Sequence, residues 1–530
     1  MNRNIIYTLW MAAILLTACT QEDFALPGTG DAVPLSITVT DGGFNGGSRA
    51  AENVYRTEFT AGDACGLYIV RGGEVVYDNV KLTATAGTDD KLTWQPEANV
   101  NLAGGLSGEK YFLYYPYQEV MSGKIDASAT DAAGFFAPLV SGWQPAADQS
   151  TFAAYTASDL MTAQGNAAIV ADGSLRLSFA MSHRMALAVI EMPKTVYKFT
   201  NNTDGSIPDY TVATSADFTG SNALPYRMAD DTYRCIVNPA QPKSLIGTYD
   251  NGKKEFIITP NCINGSYKTY KVDGLTPIEK QTPLQMGDYF CKDSDNKWYI
   301  IPQEATPDAN VIGIVFYVGQ HGSDNADYTD TGIGQSKCHG YVVALTDVNN
   351  DRDDCLRWQY GPNNEHYQEI GSSDNNNDWK GYSNSLKFHE FINNNEDWEM
   401  KHFPAALACE TYGNRTLDHD GNDAKGKYDW QMPLAAPQNT SGWFLPSAGQ
   451  LKHLYANPHV LSARIDVVKN STPDDCSYKN YIKWFETWYY WSSTEYSSFP
   501  DHAYYLLFYN GVSTFGQKDW TRDVRAVLAF

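Results

Sequence analysis

No Cys-x-x-Cys pair occurs in the 530 residues, so zinc-ribbon and thioredoxin-type readings fall away. The chain also lacks HExxH, G-x-S-x-G and any Gly-rich phosphate loop, and its ten histidines never form a His-x-x-x-His pair. Metalloprotease, serine-hydrolase and nucleotide-binding chemistry lose their usual motifs. Basic residues are few: 39 Lys and Arg face 62 Asp and Glu, a net charge of -23 that repels phosphate backbones and argues against a nucleic-acid partner. Charge of either sign is scarce at 19%, against 43% hydrophobic residues, which excludes a charged disordered chain and allows substantial cores. Beyond residue 18 no apolar run is long enough to cross a membrane. The length corresponds to three or four domains at about 150 residues each.

Aromatics are plentiful instead. They make up 13% of the chain, with 35 Tyr and 13 Trp, a composition that favours strands and polar-faced binding surfaces. Residues 1–18 read as an export signal, with Arg3 as its positive charge and Ile5 to Leu16 as its apolar run. The segment ends in Leu16-Thr17-Ala18-Cys19, which resembles a bacterial lipobox. That resemblance implies lipidation of Cys19, firm anchoring by several acyl chains and an outer-membrane precursor. The following Thr20-Gln21-Glu22-Asp23 is similar to the surface-export signal of some outer-membrane lipoproteins. An ordinary signal peptide with a coincidental Cys is the alternative. The other eight cysteines, Cys65, Cys235, Cys262, Cys291, Cys338, Cys355, Cys409 and Cys476, are too scattered for a disulfide scaffold. Buried free thiols are expected for most, with one bridge allowed in the C-terminal half.

A polar tether over 20–31 precedes VPLSITVT (33–40), which alternates. Leu35, Ile37 and Val39 share one face, and Ser36, Thr38 and Thr40 the other, the pattern of a half-buried strand. Next comes DGGFNGGSRAAEN, a Gly-rich loop whose small residues and single Arg49 make a good protease site. A plain inter-strand loop is the simpler reading. From 55 to about 280, β-rich runs such as FTAGDACGLYIV (59–70), KLTWQP (91–96), GEKYFLYYPY (108–117), SLRLSFAMSHRMALAVIEM (174–192) and DTYRCIVNPAQP (231–242) alternate with turn residues, which points to β-sandwiches. The stretch Met181 to Ile190 also fits a helix. His183 within it reads as a hydrogen-bonded core residue rather than a ligand.

These runs, with Trp94-Gln95-Pro96 and SDLMTA (158–163), resemble in order and spacing the fimbrillin family, the lipoprotein-derived pilins of type V pili, over roughly residues 30–280. The resemblance implies two tandem β-sandwich domains and donor-strand exchange. A trypsin-like protease cuts after an Arg and removes the first strand. A strand from another pilin subunit then fills the groove by β-augmentation. Arg49 with Ala50 matches the cleavage position, and Arg56 is the reserve candidate. The removed piece would carry Cys19 and the Leu35/Ile37/Val39 face.

Composition shifts near 280–300 towards Trp, His and polar loops such as VNNDRDD (348–354), SSDNNND (372–378) and INNNEDWE (392–399). Compact strands VIGIVFYVG (311–319), GYVVALTDV (340–348) and HAYYLLFYNG (502–511) lie between them. Leu386 to Asn393 and Ala448 to Tyr455 are candidate helices, the latter with Ser447 as N-cap. The segments SGWFLPSAGQLKHLY (441–455), YWSSTEYSS (490–498), YYLLFYNGVSTFGQKD (504–519) and RDVRAVLAF (522–530) resemble a bacterial surface-lipoprotein module of C-type-lectin-like fold. In that resemblance Trp443, Leu445, Pro446, Trp491 and Arg525 are structural, with Arg525 paired to a carboxylate such as Glu495. The fold commonly presents loops that bind glycans or proteins. Calcium would need converging oxygens; Asp418, Asp420 and Asn422 offer them, but Asp423 stands where a calcium loop needs glycine. Asp347, Asn349, Asp351, Asp353 and Asp354 form a weaker cluster. Solvated acidic loops are the default, so no cofactor is expected.

The sequence thus predicts a mainly β protein: signal peptide 1–18, lipidated tether and removable strand 19–49, fimbrillin-like sandwiches 50–195 and 196–282, and an α+β C-type-lectin-like module 283–530. The expected role is a non-enzymatic surface adhesin at a pilus tip, accepting a donor strand from another pilin subunit and binding a glycan or a host or bacterial surface protein. The alternative is a permanently lipid-anchored glycan-binding lipoprotein or pilus anchor. A carboxylate pair for glycoside hydrolysis stays as a minor third reading.

Overall fold

The computed structural model describes residues 33–45, 55–87, 91–169, 174–348, 355–362, 367–414, 426–486 and 488–530. The chain forms two compact units, Met1–Lys194 with Ala213–Ile278, and Thr195–Val212 with Glu279–Phe530. The expected second sandwich, 196–282, is therefore divided between them. Tyr197, Phe199, Ile207 and Tyr210 share a core with Tyr289, Trp298 and Ile300 of the second unit.

In the first unit, eight strands build one sheet: β1 (Val33–Asp41), β2 (Ala64–Arg71), β3 (Glu74–Ala86), β4 (Leu92–Pro96), β5 (Ala103–Gly104), β6 (Glu109–Tyr115), β7 (Met161–Ile169) and β8 (Leu175–His183). Their order is β4-β3-β2-β6-β7-β8-β1-β5. Alternation divides the strands between two cores. Cys65, Leu67 and Ile69 of β2 join Ile37, Trp94, Leu113 and Phe179, whereas Tyr68 and Val70 join Phe112, Phe135 and Phe136 on the other face. With both faces covered, β2 and β6 are apolar along most of their length, as period-2 geometry requires. Short helices Ala132–Phe135 and Ala137–Gly142 supply the second cover, the first capped by Asp131 accepting from the Gly134 N–H at 2.8 Å.

The ambiguous run 181–190 is strand, not helix. In β8 the residues Leu175, Leu177, Phe179, Met181 and His183 are buried and those between them exposed. The chain then enters β9 (Ala186–Glu191), the start of a second sheet with Tyr226–Arg227, Tyr233–Val237 and Tyr267–Lys271. Leu187 and Val189 face one core and Ala186, Ala188 and Ile190 another, a demand only a two-residue period meets.

The second unit is α+β around one core. Its six-stranded sheet runs Trp298–Ile301, Tyr289–Lys292, Val311–Val318, Gly340–Ala344, Val527–Ala529, Trp443–Phe444. It also contains a three-stranded meander, Tyr489–Glu495, His502–Leu507 and Val512–Gln517, and helices Gly381–Asn394, Pro404–Glu410, Ala448–Ala456 and Pro458–Ser471. Ser447 caps the third of these helices, its hydroxyl accepting from Gln450 N–H while the Gln450 side chain accepts from Ser447 N–H, a reciprocal capping box. All eight cysteines from Cys65 to Cys476 are free thiols, so the bridge allowed in the C-terminal half is not there. Among the described residues no helix is long and apolar enough to cross a membrane.

Candidate functional site

β1 lies between β8 and β5. It runs parallel to β8 in the register Leu35↔Leu175 to Asp41↔Met181, and meets β5 only at Val33↔Gly104 and Pro34↔Ala103. Ile37 is buried in the core and Val39 packs against it half-buried. Thr38 and Thr40 point outward and donate to the carbonyls of Leu177 and Phe179, each at 3.3 Å. Leu35 is placed by its backbone; its side chain lies outside the described residues.

Asp41 continues the inward parity of 35, 37 and 39, so this strand ends with a carboxylate aimed into the protein. It meets His183, whose side chain is fully buried. The Nε2 of His183 lies 2.9 Å from Asp41 Oδ1, and its Nδ1 lies 2.7 Å from Asp159 Oδ2. The Phe44 ring stacks on the imidazole at 3.6 Å between centroids and 20° between planes. Asp41 also accepts from the Gly43 N–H at 2.8 Å and the Thr57 N–H at 2.6 Å. Burial opposes a charged imidazole, yet the Asp159 and Asp41 carboxylates overcome it and raise the His183 pKa to about 9. Burial likewise works against the Asp41 anion, but His183 and the two N–H donors hold its carboxyl below the usual range. Burial pushes Asp159 up, against the pull of His183. The sequence reading of His183 as a hydrogen-bonded core residue agrees with this geometry. It missed Asp41, Phe44 and Asp159; the available signal was an acidic residue on the inward parity of an alternating strand.

In the second unit Arg525 is fully buried, but its carboxylate is Asp347, not Glu495. Arg525 Nε lies 2.7 Å from Asp347 Oδ1, and the guanidinium also donates to the carbonyls of Ala344 and Lys483. Glu495 is already taken: it accepts from Lys518 Nζ at 2.6 Å and from the N–H groups of Ile370 and Ser372 at 3.0 Å each. Trp443, Leu445, Pro446 and Trp491 are buried. On this unit's surface, Arg522 is ringed by aromatic faces: Tyr505 at 4.7 Å, Tyr489 at 4.9 Å, Trp520 at 5.0 Å and Trp491 at 5.7 Å. Tyr489 and Trp520 are exposed beside it, and Arg522 lines a cleft of about 210 Å³ with Trp488, Tyr489 and Thr521.

Cys19, Arg49, Ala50, Asp418, Asp420 and Asn422 all lie outside the described residues, as does the 349–354 part of the second acidic cluster. Arg56, the reserve cleavage candidate, is exposed on a segment without regular secondary structure. Among the described residues no three His, Cys, Asp or Glu side chains converge as a metal cage.

A family model described as Fimbrillin-like matches residues 48–312, half of the chain, and begins just after β1. The protein belongs to the fimbrillin-like family. It is 28% identical, over an alignment of 567 positions spanning 98% of each chain, to a Bacteroides ovatus protein described as "Putative fimbrium tip subunit Fim1C". Among solved structures it is similar to a fimbrial protein from Bacteroides ovatus, at 24% identity and a TM-score of 0.43, covering 94% of this chain and 100% of that one.

Proposed function

We propose that the protein is a non-enzymatic fimbrial tip subunit, exported as a surface lipoprotein anchored through Cys19, that accepts a strand from another subunit in place of β1. Cleavage after Arg49 would release β1 and leave the β8 edge from Leu175 to Met181 with free backbone groups beside an apolar core, the substrate for strand addition.

The observation that carries the tip assignment is the C-terminal strand. Val527–Ala529 is hydrogen bonded on both edges, to Gly340–Ala344 and to Trp443–Phe444, and Phe530 is fully buried. Withdrawing it would split the six-stranded sheet and open the core of the second unit. A subunit built this way receives a strand but does not offer this one, which suits a terminal position. The match over 98% of both chains to a relative described as a putative fimbrium tip subunit agrees with this reading.

The second unit then carries the target-binding role, as a C-type-lectin-like module that binds a glycan or a surface protein. Exposed Trp520 and Tyr489 around Arg522 supply the stacking faces that sugar rings or aromatic side chains use. Immunogold labelling of native fimbriae with antibody against residues 283–530 tests the assignment. Label confined to one end of each filament is expected; label repeating along the shaft would contradict it.

A further inference from the structure

We infer that the strand which replaces β1 carries a carboxylate at the position of Asp41, followed directly by glycine and, three positions after the carboxylate, by an aromatic ring. This inference rests on the donor-strand reading and specifies the chemistry of the partner segment. The occupant is a strand of a second fimbrial subunit with the pattern apolar-x-apolar-x-apolar-x-acidic-Gly-x-aromatic.

When β1 departs, its partners remain. Asp159 and His183 both stay, on the segment before β7 and at the end of β8, and both are buried. The imidazole is hydrogen bonded to Asp159 through Nδ1 and in ion-pair contact with Asp41 at Nε2, so two carboxylates favour its charged form. With Asp41 gone, the buried imidazole loses the counter-charge beside Nε2, and a buried charge that loses its partner is costly. The Thr57 N–H, which also stays, donates to the other oxygen of the same carboxylate at 2.6 Å. The vacated place thus presents the Thr57 N–H donor and a positive charge to one position on the incoming strand. A carboxylate satisfies both. An amide of the same shape can accept from the Thr57 N–H but supplies no counter-charge to the imidazole.

The two positions after the carboxylate narrow the pattern further. A Cβ on residue 42 would stand 2.9 Å from the Met181 carbonyl oxygen, and the Gly42 N–H donates to that same oxygen at 3.1 Å. Only glycine keeps the backbone this close. Phe44 covers the imidazole and lines a cleft of about 300 Å³ with Tyr55, Arg56, Tyr155, Leu187 and Arg234, which gives an incoming ring a place to enter.

The buried pair also acts as a register lock. Displacing the strand by two residues keeps every apolar side chain inward but sets an apolar group or a turn residue against His183. A slip by one turns the inward set outward. A single buried polar contact that is satisfied in one alignment only is a known way to fix register at modest cost in stability.

The test uses the full chain with a site-specific protease sequence placed after Arg49. After cleavage it is offered fluorescent synthetic strands copying residues 33–45, either unchanged or with Asp41→Asn, and uptake is read by anisotropy at pH 6.5. Uptake of the unchanged strand should exceed that of the Asn strand by about tenfold or more, the loss expected for one charge-assisted contact. The preference should vanish in a His183→Gln chain. Because the peptide is what varies, the intact chain suffices even if His183→Gln does not fold. Equal uptake of both strands by the unaltered chain would overturn this inference and leave the donor-strand reading standing. Uptake of neither would overturn both.

Discussion

Replacing Asp347 by Ala is expected to destabilise the second unit by about 3–5 kcal/mol, the range found when one partner of a buried ion pair is removed. Arg525 has no exposed surface, and Asp347 is its only carboxylate among the described residues. The charge cannot reach water, and it also stacks on Phe485 at 4.6 Å. Removing Asp347 therefore leaves a guanidinium held only by carbonyls, and costs Tyr490 and Lys483 a shared neighbour as well. The measurement is hydrogen exchange in the full chain at the amides of Val342, Val343, Val527 and Leu528, which report the sheet between which the pair is buried. A double replacement, Asp347→Leu with Arg525→Met, should recover most of the loss, because well-packed apolar groups substitute for buried ion pairs at little cost. A fall below about 1 kcal/mol for Asp347→Ala, the size of an exposed pair, would show that the site is wetter than its geometry implies.

Docking of β1 is expected to weaken as pH rises from 6.5 to about 9. The His183 pKa is raised in the folded chain to about 9 from an ordinary 6.5, so its contribution is fully present below 6.5 and is lost as pH rises through the folded value. Asp159, the largest raising cause, stays beside His183 when β1 leaves, so only the part of the shift due to Asp41 bears on docking. Asp41 works in the opposite sense. Its carboxyl is held down, so its contribution is present above the usual 3.8 and is lost as pH falls through the depressed value. Asp159, raised by burial, offsets part of the gain once ionised. Among the described residues these two carboxylates are the charged groups that face His183, one from β1 and one from the segment before β7. The strand is therefore held best between about pH 4 and 6.5. Amide protection factors of Ile37, Val39 and Asp41, corrected for the intrinsic pH dependence of exchange, should fall between pH 6.5 and 9.5. His183→Gln should flatten the profile. A profile already flat in the unaltered chain would mean that the pair does not hold the strand.

Which parts of this were legible in the sequence follows from how local each signal is. The alternation of 33–40 is a period-2 pattern within one strand, and it gave the inward face without any knowledge of partners. Ser447 was legible because a capping box is complete within four residues. The helix expected over 386–393 extends from Gly381 to Asn394, since buried Asn384 and Ser385 face the protein and broke the apolar periodicity that would have marked its start. Long-range polar pairing was not legible. Both Asp347 and Glu495 are buried carboxylates, and only the sheet order decides that Arg525 faces the former while Lys518 takes the latter. The same holds for Asp41 and Asp159, which β1 and the segment before β7 bring to opposite sides of one imidazole.

Removal of β1 is tested most directly by the N-terminal residue of the protein taken from the native cell surface, read by mass spectrometry. A start at Ala50 is expected, with Cys19, its lipid and β1 gone and the slot beside β8 free for another subunit's strand. A mature chain that begins at lipidated Cys19 would contradict it, because the sheet would then keep its own first strand and the protein would stay a lipid-anchored surface receptor or pilus anchor.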